Sequence, residues 1–189
     1  MLAAAKALFL DRGYSRTTME EIADRSGFGV ATLYTYFRTK EGMFAAMARE
    51  DMTELEEEGA EVLARLPEDP VEGLFSLVQV YLKVYRFISY ALMEEFILQS
   101  KSSGPLRDIS SWVIGWQQGQ LSQALRDAQS RGQLASDLDV EHVSEIVVDL
   151  LIRYNQRVTS DPDAGLEKQR LRQAIAILLA GWLKEPADH

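Results

Sequence analysis

Cysteine is missing from all 189 residues, which removes disulfides and thiolate metal ligands from the chemistry open to the chain. Histidine is nearly missing too. His142 and His189 are the only two, and neither stands in a metal-ligand spacing such as HExxH. No glycine-rich phosphate loop and no nucleophile elbow is found. An enzyme, a metal site and a cofactor are therefore not expected. There is no run of eighteen or more apolar residues and no signal-peptide pattern, so nothing suggests a membrane span or export, and a cytoplasmic protein is the default. Prolines number only five, while apolar residues make up 47% of the chain, enough to bury a real core.

Positive charge is in deficit, with 20 basic against 29 acidic residues and a net charge of −9. Taken whole, that balance argues against nucleic acid, but its distribution does not. Residues 1–50 hold seven basic side chains (Lys6, Arg12, Arg16, Arg25, Arg38, Lys40, Arg49) and six acidic ones, and the remainder holds 13 and 23. The negative charge lies almost wholly outside the first quarter, as expected where the bulk repels DNA and one face meets it. The cluster Glu54, Glu56, Glu57, Glu58 and Glu61 reads as a solvated helix face.

What is present is concentrated in residues 17–44, TTMEEIADRSGFGVATLYTYFRTKEGMF. Thr18 and Glu21 have the spacing of a capping box, and Met19, Ile22 and Ala23 follow as one apolar stripe. Gly27 and Gly29 flank Phe28, and glycine enters left-handed or tightly turned backbone without steric cost. The pattern is helix, tight turn, helix. On the second helix, at about 100° per residue, Val30, Leu33 and Phe37 share one side while Ala31, Thr32 and Thr35 point to the other. Tyr34 and Tyr36 flank that outward side. A helix in the major groove needs this layout: an apolar back, small groups against base edges and hydroxyl-bearing rings toward the phosphates. The same layout also suits a plain amphipathic helix whose tyrosines cover core. Thr39 stands as an N-cap for a third helix, putting Lys40 at a helix start where a phosphate fits.

The run from Ala3 to Met47, through AAAKALFLDRGYSRTTMEEIADRSG, LYTYF and TKEGMF, resembles the DNA-binding domain of the TetR family of transcriptional regulators. The resemblance implies that Thr18, Tyr34, Tyr36 and Lys40 contact phosphates, that Ala31, Thr32 and Thr35 face base edges, and that Gly29 lets the recognition helix approach closely. With no arginine on that face, readout through thymine methyls by Ala31 and the threonine methyls is the physically reasonable mode.

Beyond Lys40 the pattern stays helical. Pro67 and Pro70 close one helix and open the next, residues 71–100 form one helix or two, KSSGP at 101–105 is a loop, Gly132 is a C-cap, and Asp139 caps a further helix. The expected fold is all-α with about nine helices, a helix-turn-helix DNA-binding domain at 1–46 and a larger helical effector-binding and dimerisation domain at 47–189. Broad apolar faces on the last two helices, including Val143, Val147, Leu150, Leu151, Tyr154, Ile175, Leu178 and Trp182, either pair across a two-fold axis as in the family or are buried within one subunit. Tyr81, Tyr85, Met93, Phe96, Trp112 and Trp116 belong to the aromatic-richest stretch, which suits either a small-molecule pocket or plain core. The expected partners are a double-stranded DNA operator, an unknown small-molecule effector and a second copy of the chain, and no membrane. The rival reading is an all-α dimeric small-molecule or protein-binding module without specific DNA binding.

Overall fold

Capping side chains open four of the described helices of this chain. In the computed structural model residues 1–87, 104–158 and 164–184 are described, with side chains at 1–83, 104–154 and 168–184. Among the described residues there are eight α-helices: α1 (Leu2–Arg12), α2 (Met19–Ser26), α3 (Val30–Phe37), α4 (Lys40–Leu63), α5 (Pro70–Phe87), α6 (Gly104–Ser130), α7 (Val140–Val158) and α8 (Ala164–Leu179). The question of one helix or two over 71–100 falls partly outside the described residues.

The capping box opens α2 as expected. The Thr18 hydroxyl oxygen accepts from the Glu21 amide at 3.2 Å, and the Glu21 carboxylate accepts from the Thr18 amide at 2.9 Å. Thr39 caps α4 by accepting from the Gly42 amide at 3.0 Å. Asp69 caps α5 through the amides of Val71 and Glu72, at 2.8 and 3.0 Å, with Pro70 as the first helical residue. Asp139 caps α7 through the His142 amide at 3.0 Å. Each of these satisfies backbone donors that have no partner within the helix. One expectation needs correction. Gly27 takes a left-handed backbone, φ 72°, but Gly29 is ordinary extended chain at φ −69° and ψ 144°, so the turn itself requires only the first glycine.

The chain packs as two compact units, Met1–Glu54 with Val84–Val113, and Leu55–Lys83 with Ile114–His189. The first reaches past the boundary expected at residue 46. Its core is Ala5, Leu8, Phe9, Tyr14, Met19, Ile22, Ala23, Leu33, Met43, Phe44, Met47 and Leu106. Phe9, Tyr14 and Phe44 form an aromatic triangle with centroids 5.3–5.6 Å apart. Removing each of these large side chains from water contributes roughly 1.5–3 kcal/mol, and together they fix α3 against its neighbours.

In the second unit α7 packs on α8, with Val143, Val147, Leu151, Leu171, Ile175 and Leu179 all buried. A buried polar chain crosses this core: the Ser122 hydroxyl donates to Ser144 Oγ at 2.9 Å, and Ser144 donates to the Val140 carbonyl at 2.7 Å. Past α8 the backbone pairs with the α6–α7 loop. Ala135 N–H donates to the Trp182 carbonyl at 2.8 Å and Lys184 N–H to the Gln133 carbonyl at 3.0 Å, an antiparallel bridge of Leu134 with Leu183.

Candidate nucleic-acid interface

The first unit turns α3 with its apolar row inward. Leu33 is fully buried, while Val30 and Phe37 lie partly covered against the core. The opposite row is open, with Ala31 and Thr35 exposed and Thr32 half-covered. Tyr34 is 45% exposed and Tyr36 70%, which leaves both phenols free to meet groups outside the protein. An apolar back with an uncovered small-residue front is the arrangement a major groove admits.

At the start of α3, Gly29 serves as N-cap without a side-chain hydrogen bond. A Cβ added there meets only Thr32 Oγ1, at an ordinary 3.7 Å. Nothing inside the protein therefore demands glycine at this position. The missing side chain is left to matter to whatever approaches from outside.

Thr35 and Lys40 carry more structure than their sequence positions indicated. The Thr35 hydroxyl donates to the Ala31 carbonyl one turn back, at 2.8 Å. Lys40 Nζ donates to the carbonyls of Tyr14 and Thr17 at 2.9 Å each and to that of Ser15 at 3.5 Å, and sits 4.4 Å above the Tyr14 ring. The ammonium thus clasps the loop between α1 and α2 to the start of α4. Carbonyls occupy its protons without cancelling its unit charge, which the neighbouring Glu41 carboxylate partly offsets. Thr18 is exposed but spends its hydroxyl in the capping box, donating to Glu21 at 3.3 Å as well as accepting.

Carboxylates brace the same loops. A hydrogen bond from the Thr18 backbone is the main reason the Glu21 carboxyl sits below its usual range, with Arg12, 3.0 Å away, adding to it. Desolvation pushes Glu41 upward, but its own backbone amide, Thr39, Tyr14 and the charge on Lys40 outweigh that and hold it low. Lys6 Nζ binds Asp51 Oδ1 at 2.6 Å, joining α1 to α4.

Two features of this edge were not legible in the residue types. Arg38, between α3 and α4, has φ 63°, the one non-glycine residue with positive φ among the described residues. Its guanidinium is exposed and makes no ion pair or hydrogen bond among the described residues. Strained backbone held in place this way collects at working sites. Gly42 is the other: a Cβ there would lie 2.2 Å from the Phe37 carbonyl oxygen, so the close join of α3 to α4 depends on its absence.

The remaining expected sites lie elsewhere. Tyr81 is fully buried, its hydroxyl donates to Gln120 Oε1 at 3.0 Å, and its ring meets Trp116 edge-on at 5.2 Å. Burial pushes the Tyr81 phenol well above its ordinary pKa, so it stays a neutral donor. Trp116 and Trp112 are half-covered, and the Arg49 guanidinium stands 4.7 Å over the Trp112 ring. Gln117 is buried, with Nε2 lacking an acceptor among the described residues. Met93, Phe96 and the Tyr85 side chain lie outside the described residues. An open groove of about 430 Å³, with Arg65, Asp127 and Arg131 on its walls, involves none of these positions.

Of the faces expected to meet a second copy, Val143, Val147, Leu151, Tyr154 and Ile175 are already buried within one chain. Within the single chain these five pack in the core. Leu150, Leu178 and Trp182 are half-covered. Ile177, not singled out from sequence, is 77% exposed on α8.

Residues 1–47 match the family described as bacterial regulatory proteins, tetR family. Over the whole chain, an alignment 198 positions long is 25% identical to the HTH-type transcriptional repressor KstR2 of Mycolicibacterium smegmatis and covers 91% of it. A 159-residue match, 24% identical, spans 79% of this chain and 75% of the HTH-type transcriptional regulator UidR of Escherichia coli K12. The fold is shared with the TetR family transcriptional regulator PfmR of Thermus thermophilus, at a TM-score of 0.65 and 18% identity over 95% of this chain and 96% of that one.

Proposed function

We propose that this chain, whose residues 1–47 match the tetR family of bacterial regulatory proteins, is a helix-turn-helix transcriptional regulator rather than an enzyme, and that it represses transcription by binding a palindromic operator as a homodimer, in the cytoplasm, and is released by a small-molecule effector. The observation that carries this reading is the open front of α3: Ala31 and Thr35 are uncovered between two exposed tyrosines, while the other side of the helix is fixed in core. Tyr34, Tyr36 and Thr18 are assigned to the phosphate walls, with Lys40 contributing charge from its clasped position, and Ala31, Thr32 and Thr35 to the base edges. Gly29 lets the start of α3 come close. Two heads per assembly are needed because one head carries little net charge, and each phosphate contact adds only a salt-dependent increment.

The second copy is assigned to the α7–α8 face around Ile177, Leu150, Leu178 and Trp182. An isoleucine so exposed beside half-covered apolar neighbours suits a surface that becomes buried on association. Ile177→Glu is expected to give monomers by sedimentation without unfolding the chain, and an unchanged assembly would remove this face from the interface.

Effector binding is assigned to Tyr81 and Trp116 in the second unit, and from the sequence pattern alone Trp112, Tyr85, Met93 and Phe96 are separate candidates. The buried Gln117 amide without an acceptor and the Tyr81–Gln120 pair support it, as polar groups set in apolar surroundings. Helix α4 runs unbroken from Lys40 to Leu63, so a ligand that tilts it changes the spacing of the two recognition helices. Couplings of this kind amount to about 1–3 kcal/mol.

The experiment is selection of preferred duplexes from random DNA by the full chain, followed by titration of the selected duplex with candidate effectors. An enriched palindrome whose affinity falls in the presence of one compound is the expected result. No enrichment would leave the chain as a sequestering module, and enrichment with affinity unaltered by any compound would remove induction.

A further inference from the structure

We propose that this chain reads its operator through thymine 5-methyl groups, with hydrogen-bond donation from the recognition helix playing little part. The proposal rests on the assignment of α3 to the major groove and specifies the base chemistry it recognises.

The outward row of α3 carries few groups able to donate a hydrogen bond to a base. Ala31 offers only a methyl. Thr35 carries a hydroxyl, yet its proton is already donated to the Ala31 carbonyl at 2.8 Å, so towards a base it presents a methyl and an acceptor. Thr32 is half-covered, with its oxygen 3.7 Å from where a Cβ at Gly29 would stand, and it is the one hydroxyl of this row without a hydrogen bond among the described residues. Arginine, lysine, asparagine, glutamine, aspartate and glutamate are all missing from α3, whose sequence is VATLYTYF. Just before the helix, Phe28 leaves 47% of its surface exposed, adding an aromatic ring at the end that leads into the groove.

In the major groove, guanine is gripped by cationic forks, adenine by amide side chains and cytosine by carboxylates, and none of those groups is present on α3. Thymine differs from the others in projecting a carbon group. Methyl against methyl is the contact that Ala31 and Thr35 can make without breaking the hydrogen bond that Thr35 already holds. Glycine at position 29 suits the same mode, since dispersion contacts need surfaces within about 4 Å, a closer seating than long polar side chains require.

The test uses the full chain and the duplex it selects from random DNA. Thymines in each half-site are replaced by deoxyuridine, which removes only the methyl and keeps every hydrogen-bonding group. The expected result is a loss of about fourfold in affinity per methyl in contact, the equivalent of about 0.8 kcal/mol for one buried carbon group, with the salt dependence unchanged. Replacing a contacted T·A pair by 5-methylcytosine·G keeps the methyl while altering the polar pattern, and is expected to retain more affinity than unmethylated C·G. Thr35→Ser, which deletes a methyl and keeps the hydroxyl, is expected to narrow the gap between thymine and uracil duplexes. Equal affinity for the thymine and uracil duplexes would overturn the thymine reading while leaving DNA binding intact. Failure to select any duplex would overturn the assignment of α3 itself.

Discussion

The two units keep their shape by different means. In the first, half-buried charged groups reach to backbone and to each other, Lys40 to three carbonyls and Lys6 to Asp51, while Arg12–Glu21 is a surface pair. In the second, the buried polar contacts are uncharged, as in Ser122 with Ser144 and Tyr81 with Gln120, and the ion pairs Lys83–Glu58, Arg126–Glu141 and Arg172–Glu72 lie at the surface, where such pairs contribute little. Charge-assisted contacts are directional and hold loops to a fixed geometry. A surface proposed to match the spacing of phosphates needs that precision. Apolar faces repack at modest cost, which suits the effector-binding role proposed for this unit.

The contrast can be broken most directly at two glycines. Gly42→Ala places a carbon 2.2 Å from a backbone oxygen that has nowhere to go, whereas at Gly59 the added carbon meets the ends of the Gln120 and Trp116 side chains, at 2.7 and 3.0 Å. The expected losses, read from urea midpoints, are about 3 kcal/mol for the first and about 1 kcal/mol for the second. Equal losses would mean that both units tolerate crowding alike.

Next in size is Lys40→Ala. Removing a clasp of charge-assisted hydrogen bonds should cost about 1.5–3 kcal/mol of stability, and the slope of log affinity against log salt should fall by about one. If stability drops and the slope stays fixed, Lys40 holds the loop without attracting DNA.

Acid sharpens the comparison further. Glu21 and Glu41 both sit below their ordinary 4.5 in the folded chain, so their contribution is fully present above that value and is lost as pH falls through their lowered folded values. The first unit should therefore lose stability on acidification below about pH 4.5, and Glu21→Gln should flatten that decline in thermal melts. A decline left as steep as before would exclude the capping box as its source.

The smallest effect is expected at Arg38. Arg38→Gly relieves a sparsely populated backbone conformation, φ 63° and ψ −41°, that costs a side chain about 1 kcal/mol or more, partly offset by the added freedom of the unfolded chain. Melting temperature should rise slightly while DNA affinity falls. A rise in both would make Arg38 an accident of the backbone.

Local signals made most of the architecture legible. Thr18 with Glu21, Thr39, Asp139 and Gly132 act on neighbours a few residues away, so residue type and spacing suffice to place them. The inward side of α3 was equally plain, because Leu33 and Phe37 obey helical periodicity. The Lys40 clasp was hidden, since its acceptors lie 23 to 26 residues back along the chain and belong to backbone, which carries no mark in the sequence. Gly42 and Arg38 were hidden for a related reason: close approach and dihedral strain exist only once two helices meet. For α7 and α8, periodicity gave the apolar residues but not what covers them, and the intrachain core took Val143, Val147, Leu151, Tyr154 and Ile175.

The short antiparallel pairing of Leu134 with Leu183 works as a latch on the carboxyl-terminal hairpin. Because Ala135 holds the Trp182 carbonyl and Gln133 receives the Lys184 amide, α8 is anchored beyond its last turn and cannot unwind from that end without first tearing main-chain bonds. Any exchange of α8 between neighbouring copies would have to open this latch, so the same few atoms that finish one molecule also discourage it from borrowing an arm from the next.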